Sequence, residues 1–94
     1  MSYVLAFTED ALQGLRALPV WLQEETLDEL ERATANPPPP AHPASASWTR
    51  VLDFVRERRP QVHYVFVTLE VEVRAQVIRI LTIACHVRTD DVSA

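Results

Sequence analysis

Residues 62–73 (VHYVFVTLEVEV) decide the fold class of this 94-residue chain. The stretch is dense in β-branched and aromatic residues, which favour strands over helices. Before it, residues 49–58 (TRVLDFVRER) alternate with a period of two, which also predicts a strand. Arg59-Pro60-Gln61 supplies a turn between the two stretches. Together they predict a long β-hairpin.

The segments around this hairpin predict a last strand, a connector and a tail. Residues 76–85 (QVIRILTIAC) are mainly apolar and predict the last strand, with the preceding reversal expected within residues 70–74. Residues 37–47 are rich in Pro, Ala and Ser and predict a surface connector. Trp48, which follows the connector, is expected to pack in the core. The polar residues 89–94 are expected to fray.

The first half of the chain predicts a short strand and two helices. Residues 3–7 alternate as a strand, and Thr8 suits the N-cap of a helix from about residue 9 to 17. Pro19 suits the first turn of a second helix that runs to about Asn36. The expected apolar positions of that helix are Val20, Leu27, Leu30 and Thr34, and its acidic residues Glu24, Glu25, Asp28, Glu29 and Glu31 are expected to form a solvated face.

These elements follow the order β-α-α-β-β-β within a single domain that spans residues 1–94. Short connections between the last three strands favour an antiparallel meander. We therefore expect an α+β fold, in which a small antiparallel sheet is packed by an N-terminal helical hairpin.

Composition excludes several classes of function. Gly14 is the only glycine, which rules out a glycine-rich phosphate-binding loop. Cys85 is the only cysteine, which rules out an internal disulfide, and it is expected to be a core residue rather than a nucleophile. The three histidines lack spaced cysteine partners, so we expect no zinc site and no cofactor. Because the sequence has no apolar run of about 18 residues and no signal peptide, we expect a cytoplasmic protein without a membrane partner.

Charge is unevenly distributed along the chain. The net charge is −4, and all nine basic residues are arginines, which excludes a lysine general base. Residues 1–47 carry two arginines against seven acids, a net charge of −5, whereas residues 48–94 carry seven against six, a net charge of +1. A chain with this charge repels phosphate at long range. A nucleic-acid partner would therefore be held by a local cluster of arginines.

The element order and several short stretches resemble the RelE/ParE superfamily of bacterial toxins. The first-half stretches are 3–12 (YVLAFTEDAL), 15–19 (LRALP) and 35–37 (ANP). Residues 62–66 (VHYVF) stand where the family has Tyr-Arg-Val-x-Tyr, so His63 occupies an arginine position. Residues 83–88 (IACHVR) stand where the family closes, are similar to the YoeB branch, and have His86 at a basic position.

The resemblance implies a toxin of a type II toxin–antitoxin module that is bound by a cognate antitoxin protein. The first activity that it implies is metal-independent, ribosome-dependent cleavage of mRNA, which inhibits translation. Two alternatives stay open: a ParE-like protein that blocks DNA gyrase without chemistry, and a relative that only binds its antitoxin. Val4, Phe7 and the free edge of the first strand are a candidate antitoxin surface. Self-association is left open.

The candidate site residues are two histidines and three arginines. Attack by a ribose 2′-OH on its phosphate needs a base, an acid and cations that face the developing charge. His63 and His86 are the candidate base and acid because imidazole has a pKa of about 6.5. Antiparallel pairing of their strands is expected to bring them close together. Arg56, Arg58 and Arg88 are the candidate phosphate ligands, although charges on an edge strand also serve to prevent aggregation.

Overall fold

The described residues form two helices and four strands in the predicted order. The structure is a computed structural model, and it describes residues 3–40 and 46–90. The elements are β1 (Val4–Phe7), α1 (Glu9–Arg16), α2 (Val20–Ala35), β2 (Ser47–Arg58), β3 (Gln61–Glu72) and β4 (Val77–Thr89). The predicted α+β class is therefore confirmed. Neither helix in these ranges is long and apolar enough to cross a bilayer.

Thr8 joins the first helix to the sheet. As predicted, it caps α1, because its hydroxyl accepts a hydrogen bond from the Ala11 amide at 3.1 Å. The same hydroxyl donates to the carbonyl of Leu81 in β4 at 2.7 Å. The Thr8 amide donates to the carbonyl of Ile80 at 3.0 Å. The start of α1 is thus held directly against β4.

The second helix buries a different stripe from the one predicted. Its buried residues are Leu22, Thr26, Leu30 and Ala33. Val20 is 71% exposed and Leu27 is 37% exposed, so both predictions are wrong, and Thr34 is only half-buried. Threonine is polar and Thr26 is therefore hard to recognise as a core residue. Its hydroxyl is satisfied inside the helix, where it donates to the Leu22 carbonyl at 2.7 Å.

The ends of α2 and the connector lie close to the predicted positions. Pro19 is the N-cap residue of α2 rather than part of its first turn, and Asn36 is the C-cap residue. Residues 41–45 of the connector lie outside the described residues. The Trp48 indole packs against the core and donates to the Pro38 carbonyl at 2.9 Å, which confirms its predicted core role.

The sheet has the strand order β1-β4-β3-β2. The last three strands form the predicted antiparallel meander. β1 differs, because it pairs with β4 in parallel, with Val4 opposite Val77 and Phe7 opposite Ile80. The sheet is therefore mixed, and the expectation of a wholly antiparallel sheet is wrong for this strand. Short connections dictate antiparallel pairing only between consecutive strands, whereas two helices separate β1 from β2.

The turn between β3 and β4 lies later than predicted. Glu70 and Glu72, expected within the reversal, remain in β3. Their carboxylates pair with the guanidinium of Arg79 at 2.6 and 3.5 Å. These cross-strand ion pairs stabilise both residues within the sheet. Residues 73–76 form the turn, and Gln76 has a positive φ of 54°.

The last strand extends beyond its predicted end. It continues to Thr89 instead of ending near Cys85, because β3 offers it pairing partners back to Gln61. His86 therefore lies within β4 rather than after it. The predicted tail begins inside this strand, and residues 91–94 lie outside the described residues.

The helices cover one face of the sheet, and the core lies between the helices and this face. Strand residues in this core are Val65, Val67, Leu69, Val71, Ile78, Ile80 and Ile83, and helix and loop residues are Ala11, Leu18, Leu22, Leu30 and Ala33. The opposite face, which we call the open face, carries the alternate side chains of β2, β3 and β4, including Val51, Val55, Tyr64, Phe66, Ala84 and His86. Neither helix of the described residues covers the open face.

Candidate functional site

Strand register separates the two predicted catalytic histidines. Residues that pair directly on neighbouring strands point to the same face of a sheet. Arg56 pairs with His63, so both point to the face that the helices cover. His86 pairs with Tyr64, one residue further along β3, and so points to the open face. The two histidines do not share a cleft, and the expectation that strand pairing brings them together is wrong.

The same register divides the predicted arginines. Arg58 points to the helix side, and its guanidinium carbon lies 4.5 Å from the centre of the Trp21 ring. Arg88 points to the open face, where its guanidinium carbon lies 5.6 Å from the centre of the Tyr64 ring. The Arg88 guanidinium also pairs with the Asp90 carboxylate at 2.9 Å. Arg88 therefore lies apart from Arg58.

His63 is buried beneath an aromatic ring. It is 3% exposed, and its ring meets the Trp21 ring edge-on, with 5.1 Å between the ring centres. Within the part of the chain that the structure describes, its Nδ1 has no hydrogen-bond partner. A buried polar atom without a partner costs about 1–3 kcal/mol. The unpaired Nδ1 of His63 therefore lowers the free energy of unfolding, and packing of the ring does not account for burying it.

Arg56 is held by two acidic residues of α2. Its Nε donates to Glu25 at 3.2 Å, and its Nη2 donates to Glu29 at 2.7 Å. The hydrogen bond from Arg56, with a further one from Arg32, lowers the pKa of the Glu29 carboxyl below its ordinary value of 4.5 despite partial desolvation. Glu25 and Glu29 were expected only to face solvent. They instead join the helix to the edge strand and neutralise Arg56.

A cleft of about 350 Å³ lies beside this ion cluster. Its lining residues are Trp21, Glu24, Glu25, Asp28, Arg56, Glu57 and Arg58. Glu57 belongs to the open face by register, so the helix-side lining carries three carboxylates and two guanidiniums, a formal charge of −1. Arg58 is exposed and has no salt bridge among the described residues. Arg58 is therefore the guanidinium in this cleft that is most available to a ligand.

Trp21 is a functional candidate that the sequence patterns do not predict. Its ring contacts the His63 ring and the Arg58 guanidinium, and it lines the cleft. A signal was present in the sequence, because Trp21, Glu25 and Asp28 follow a spacing of four and then three residues along one helix face.

Cys85 behaves as predicted. It is half-buried and packs against the core cluster. Burial raises the pKa of its thiol, so the thiol stays protonated near neutral pH. The prediction that Cys85 is a core residue is confirmed.

The Glu29–Arg56 pair predicts a specific pH dependence of stability. Because the folded pKa of Glu29 is lowered, its contribution is complete above the unfolded pKa and is lost as pH falls through the folded value. Glu29→Gln is therefore expected to cost about 1 kcal/mol at pH 7 and almost nothing well below pH 4.5. Urea unfolding at both pH values measures the difference. Glu31→Gln, at an exposed position of the same helix, is the control, and an equal loss at both pH values would contradict the prediction.

Known proteins resemble this chain in structure. No family model and no curated protein matches its sequence. A free Escherichia coli RelE toxin with two arginines changed to alanine matches with a TM-score of 0.63 at 20% identity, covering 89% of this chain and 83% of that chain. The intact E. coli RelBE toxin–antitoxin complex matches with a TM-score of 0.62 at 17% identity, covering 88% of this chain and 95% of that chain.

A third match comes from an archaeon. The RelE–RelB complex of Pyrococcus horikoshii has a TM-score of 0.56 at 18% identity, covering 89% of this chain and 94% of that chain. The likeness extends over nearly the whole length of each pair. The resemblance predicted from the sequence is therefore confirmed at the level of architecture, and this chain has the fold of the RelE toxins.

Proposed function

We propose that this chain is the toxin of a protein toxin–antitoxin pair and that it cuts mRNA on the ribosome. The observation that carries the proposal is the RelE fold over 89% of the chain, together with an arginine-bearing cleft on the helix side of its sheet. Two of the matched structures are complexes of RelE with RelB. They support a cognate antitoxin as the protein partner.

In this proposal RNA binds in the helix-side cleft. Arg58 is the principal phosphate ligand, since a guanidinium contacts two phosphate oxygens at once and no carboxylate among the described residues occupies it. The Trp21 ring beside it offers a surface on which a base stacks. Arg56 becomes a second ligand when phosphate displaces Glu25 or Glu29.

The residues on this face suit charge stabilisation better than a two-histidine proton relay. Cleavage forms a bond from the ribose 2′ oxygen to phosphorus and breaks the bond from phosphorus to the 5′ oxygen of the next nucleotide. The 2′ hydroxyl loses a proton, and the leaving oxygen gains one. Arg56 and Arg58 stabilise the charge on the phosphoryl oxygens. His63 is 3% exposed, so a bound RNA does not reach its ring, and His86 lies on the opposite face of the sheet.

A second function is favoured by the charge of the cleft. Its helix-side lining has a formal charge of −1, and the whole chain has −4, so both repel phosphate. A relative that has lost RNA cleavage and only binds its antitoxin would have this electrostatic character. In that case the cleft would accept a basic side chain of the antitoxin rather than a phosphate group.

Expression of the chain alone in bacteria separates these functions. Pulse labelling measures protein and DNA synthesis within minutes of induction. We expect protein synthesis to fall first while DNA synthesis continues. An earlier fall in DNA synthesis would contradict mRNA cleavage and favour gyrase as the target. No effect on either, with soluble protein present, would favour the relative that only binds an antitoxin.

A further inference from the structure

The open face of the sheet carries an apolar patch. Val51 is 62% exposed, Val55 is 50% exposed and Phe66 is 40% exposed. Strand register groups them around Phe66 of β3, because Phe66 pairs with Asp53 of β2, and Val51 and Val55 are the residues of the same face on either side of Asp53. Large apolar side chains grouped on one face of a sheet indicate an interaction surface.

Charge on the open face changes sign from one side of β3 to the other. β2 contributes the carboxylates of Asp53 and Glu57, whereas β4 contributes the guanidinium of Arg88. Glu57 pairs with Arg59 at 3.2 Å, and Arg88 pairs with Asp90 at 2.9 Å, through exposed contacts that a second copy can replace. Glu57 and Arg88 lie in one row, since both pair with Val62 of the central strand. A face with negative charge on one side of an apolar centre and positive charge on the other is complementary to the same face of a second copy.

We propose that a second copy of this chain packs on the open face, about a two-fold axis that runs along β3. Rotation by 180° about this axis turns one sheet over and lays β2 of each copy above β4 of the other. Glu57 of each copy then faces Arg88 of the second copy, and Tyr64 and Phe66 of the two copies meet near the axis. Such an interface is isologous, with each contact made twice.

The geometry fits the known packing of sheets. Two sheets stack about 10 Å apart with their strands within about 30° of alignment, a distance that Arg and Glu side chains on facing sheets span together. Because the open face is only three strands wide, it buries a small area, under about 1,200 Å², and we expect a weak dimer that dissociates on dilution.

Two single charge reversals test this arrangement. Glu57→Arg brings a second guanidinium against Arg88 of the other copy, and Arg88→Glu brings two carboxylates together. Each variant alone is expected to dissociate at least tenfold more readily than the unaltered chain. An equimolar mixture is expected to form a heterodimer. One of its two contacts joins the two introduced side chains, which are opposite in charge. The other contact joins the native Glu57 of one copy to the native Arg88 of the other. Sedimentation equilibrium of the full chain over a range of concentrations measures all of these masses.

Matched controls separate the contact from general effects. Glu31→Arg makes the same charge change on exposed α2 and is expected to leave dimerisation unaltered. Glu57→Arg changes the net charge from −4 to −2, which lowers the repulsion between copies, so weaker association cannot result from net charge. Circular dichroism checks that each variant is folded. A monomeric unaltered chain at every concentration, dimers that persist in both variants, or a mixture without heterodimers would each overturn the proposal.

Discussion

Replacement of Gly14 by alanine is expected to destabilise the protein by about 3 kcal/mol, although Gly14 lies in a helix. A Cβ atom at this position would lie 2.1 Å from the carbonyl oxygen of Ile83 and 3.0 Å from its carbonyl carbon. These are main-chain atoms of β4 and cannot rotate away. Helix α1 would have to move outward, against the hydrogen bonds that join Thr8 to Leu81 and Ile80.

Helix propensity predicts the opposite sign for this substitution. Alanine is favoured over glycine by about 1 kcal/mol in a helix interior. Urea unfolding of Gly14→Ala therefore decides whether α1 approaches β4 closely enough to exclude a methyl group. Gln13→Ala, at the exposed neighbouring position, is the control and is expected to change stability by no more than about 0.5 kcal/mol. A Gly14→Ala variant as stable as this control would contradict the observed packing.

Local patterns in the sequence were sufficient to predict the elements of this fold. Two-residue alternation and β-branched content identified the strands, and Thr8 identified the start of α1. The role of Gly14 could not be predicted, because it depends on the distance between α1 and a strand almost 70 residues later in the chain. The buried stripe of α2 also differs from the predicted one. Val20 and Leu27 are apolar but face away from the sheet, whereas buried Thr26 looks polar.

The candidate site was harder to predict than the fold. A shift of one residue in strand register exchanges the two faces of a sheet. Pairing of β3 with β4 was expected to bring His63 and His86 together, but the observed register sends them to opposite faces. The contact of Arg56 with Glu25 spans 31 positions in the sequence and depends on how α2 docks. Local periodicity carries no information about either relation.

Loss of the Arg58 guanidinium is expected to reduce mRNA cleavage at least tenfold. Groups that stabilise developing charge in a transition state commonly contribute about one hundredfold or more, and the solvent exposure of this site reduces that effect. Arg58 is the guanidinium of the cleft that pairs with no carboxylate in the described ranges, and it lies 4.5 Å from the Trp21 ring centre. Because Arg58 is exposed, its truncation to alanine is expected to leave the fold intact.

Arg59 provides a closely matched control. It is the next residue in the chain, its side chain is 78% exposed, and its removal lowers the net charge from −4 to −5 just as Arg58→Ala does. Arg59 does not line the cleft. Any difference between the two variants therefore reports on the position of the guanidinium rather than on overall charge. His86→Ala tests the opposite face of the sheet in the same way.

Primer extension maps the 5′ ends of mRNA after purified chain is added to translating ribosomes, and it measures where and how strongly each variant cuts. We expect cleavage within codons by the unaltered chain, by Arg59→Ala and by His86→Ala, and at least tenfold less cleavage by Arg58→Ala. Undiminished cleavage by Arg58→Ala, or loss of cleavage in His86→Ala, would contradict a centre on the helix side of the sheet. Absence of cleavage by the folded, unaltered chain would contradict RNA as its substrate.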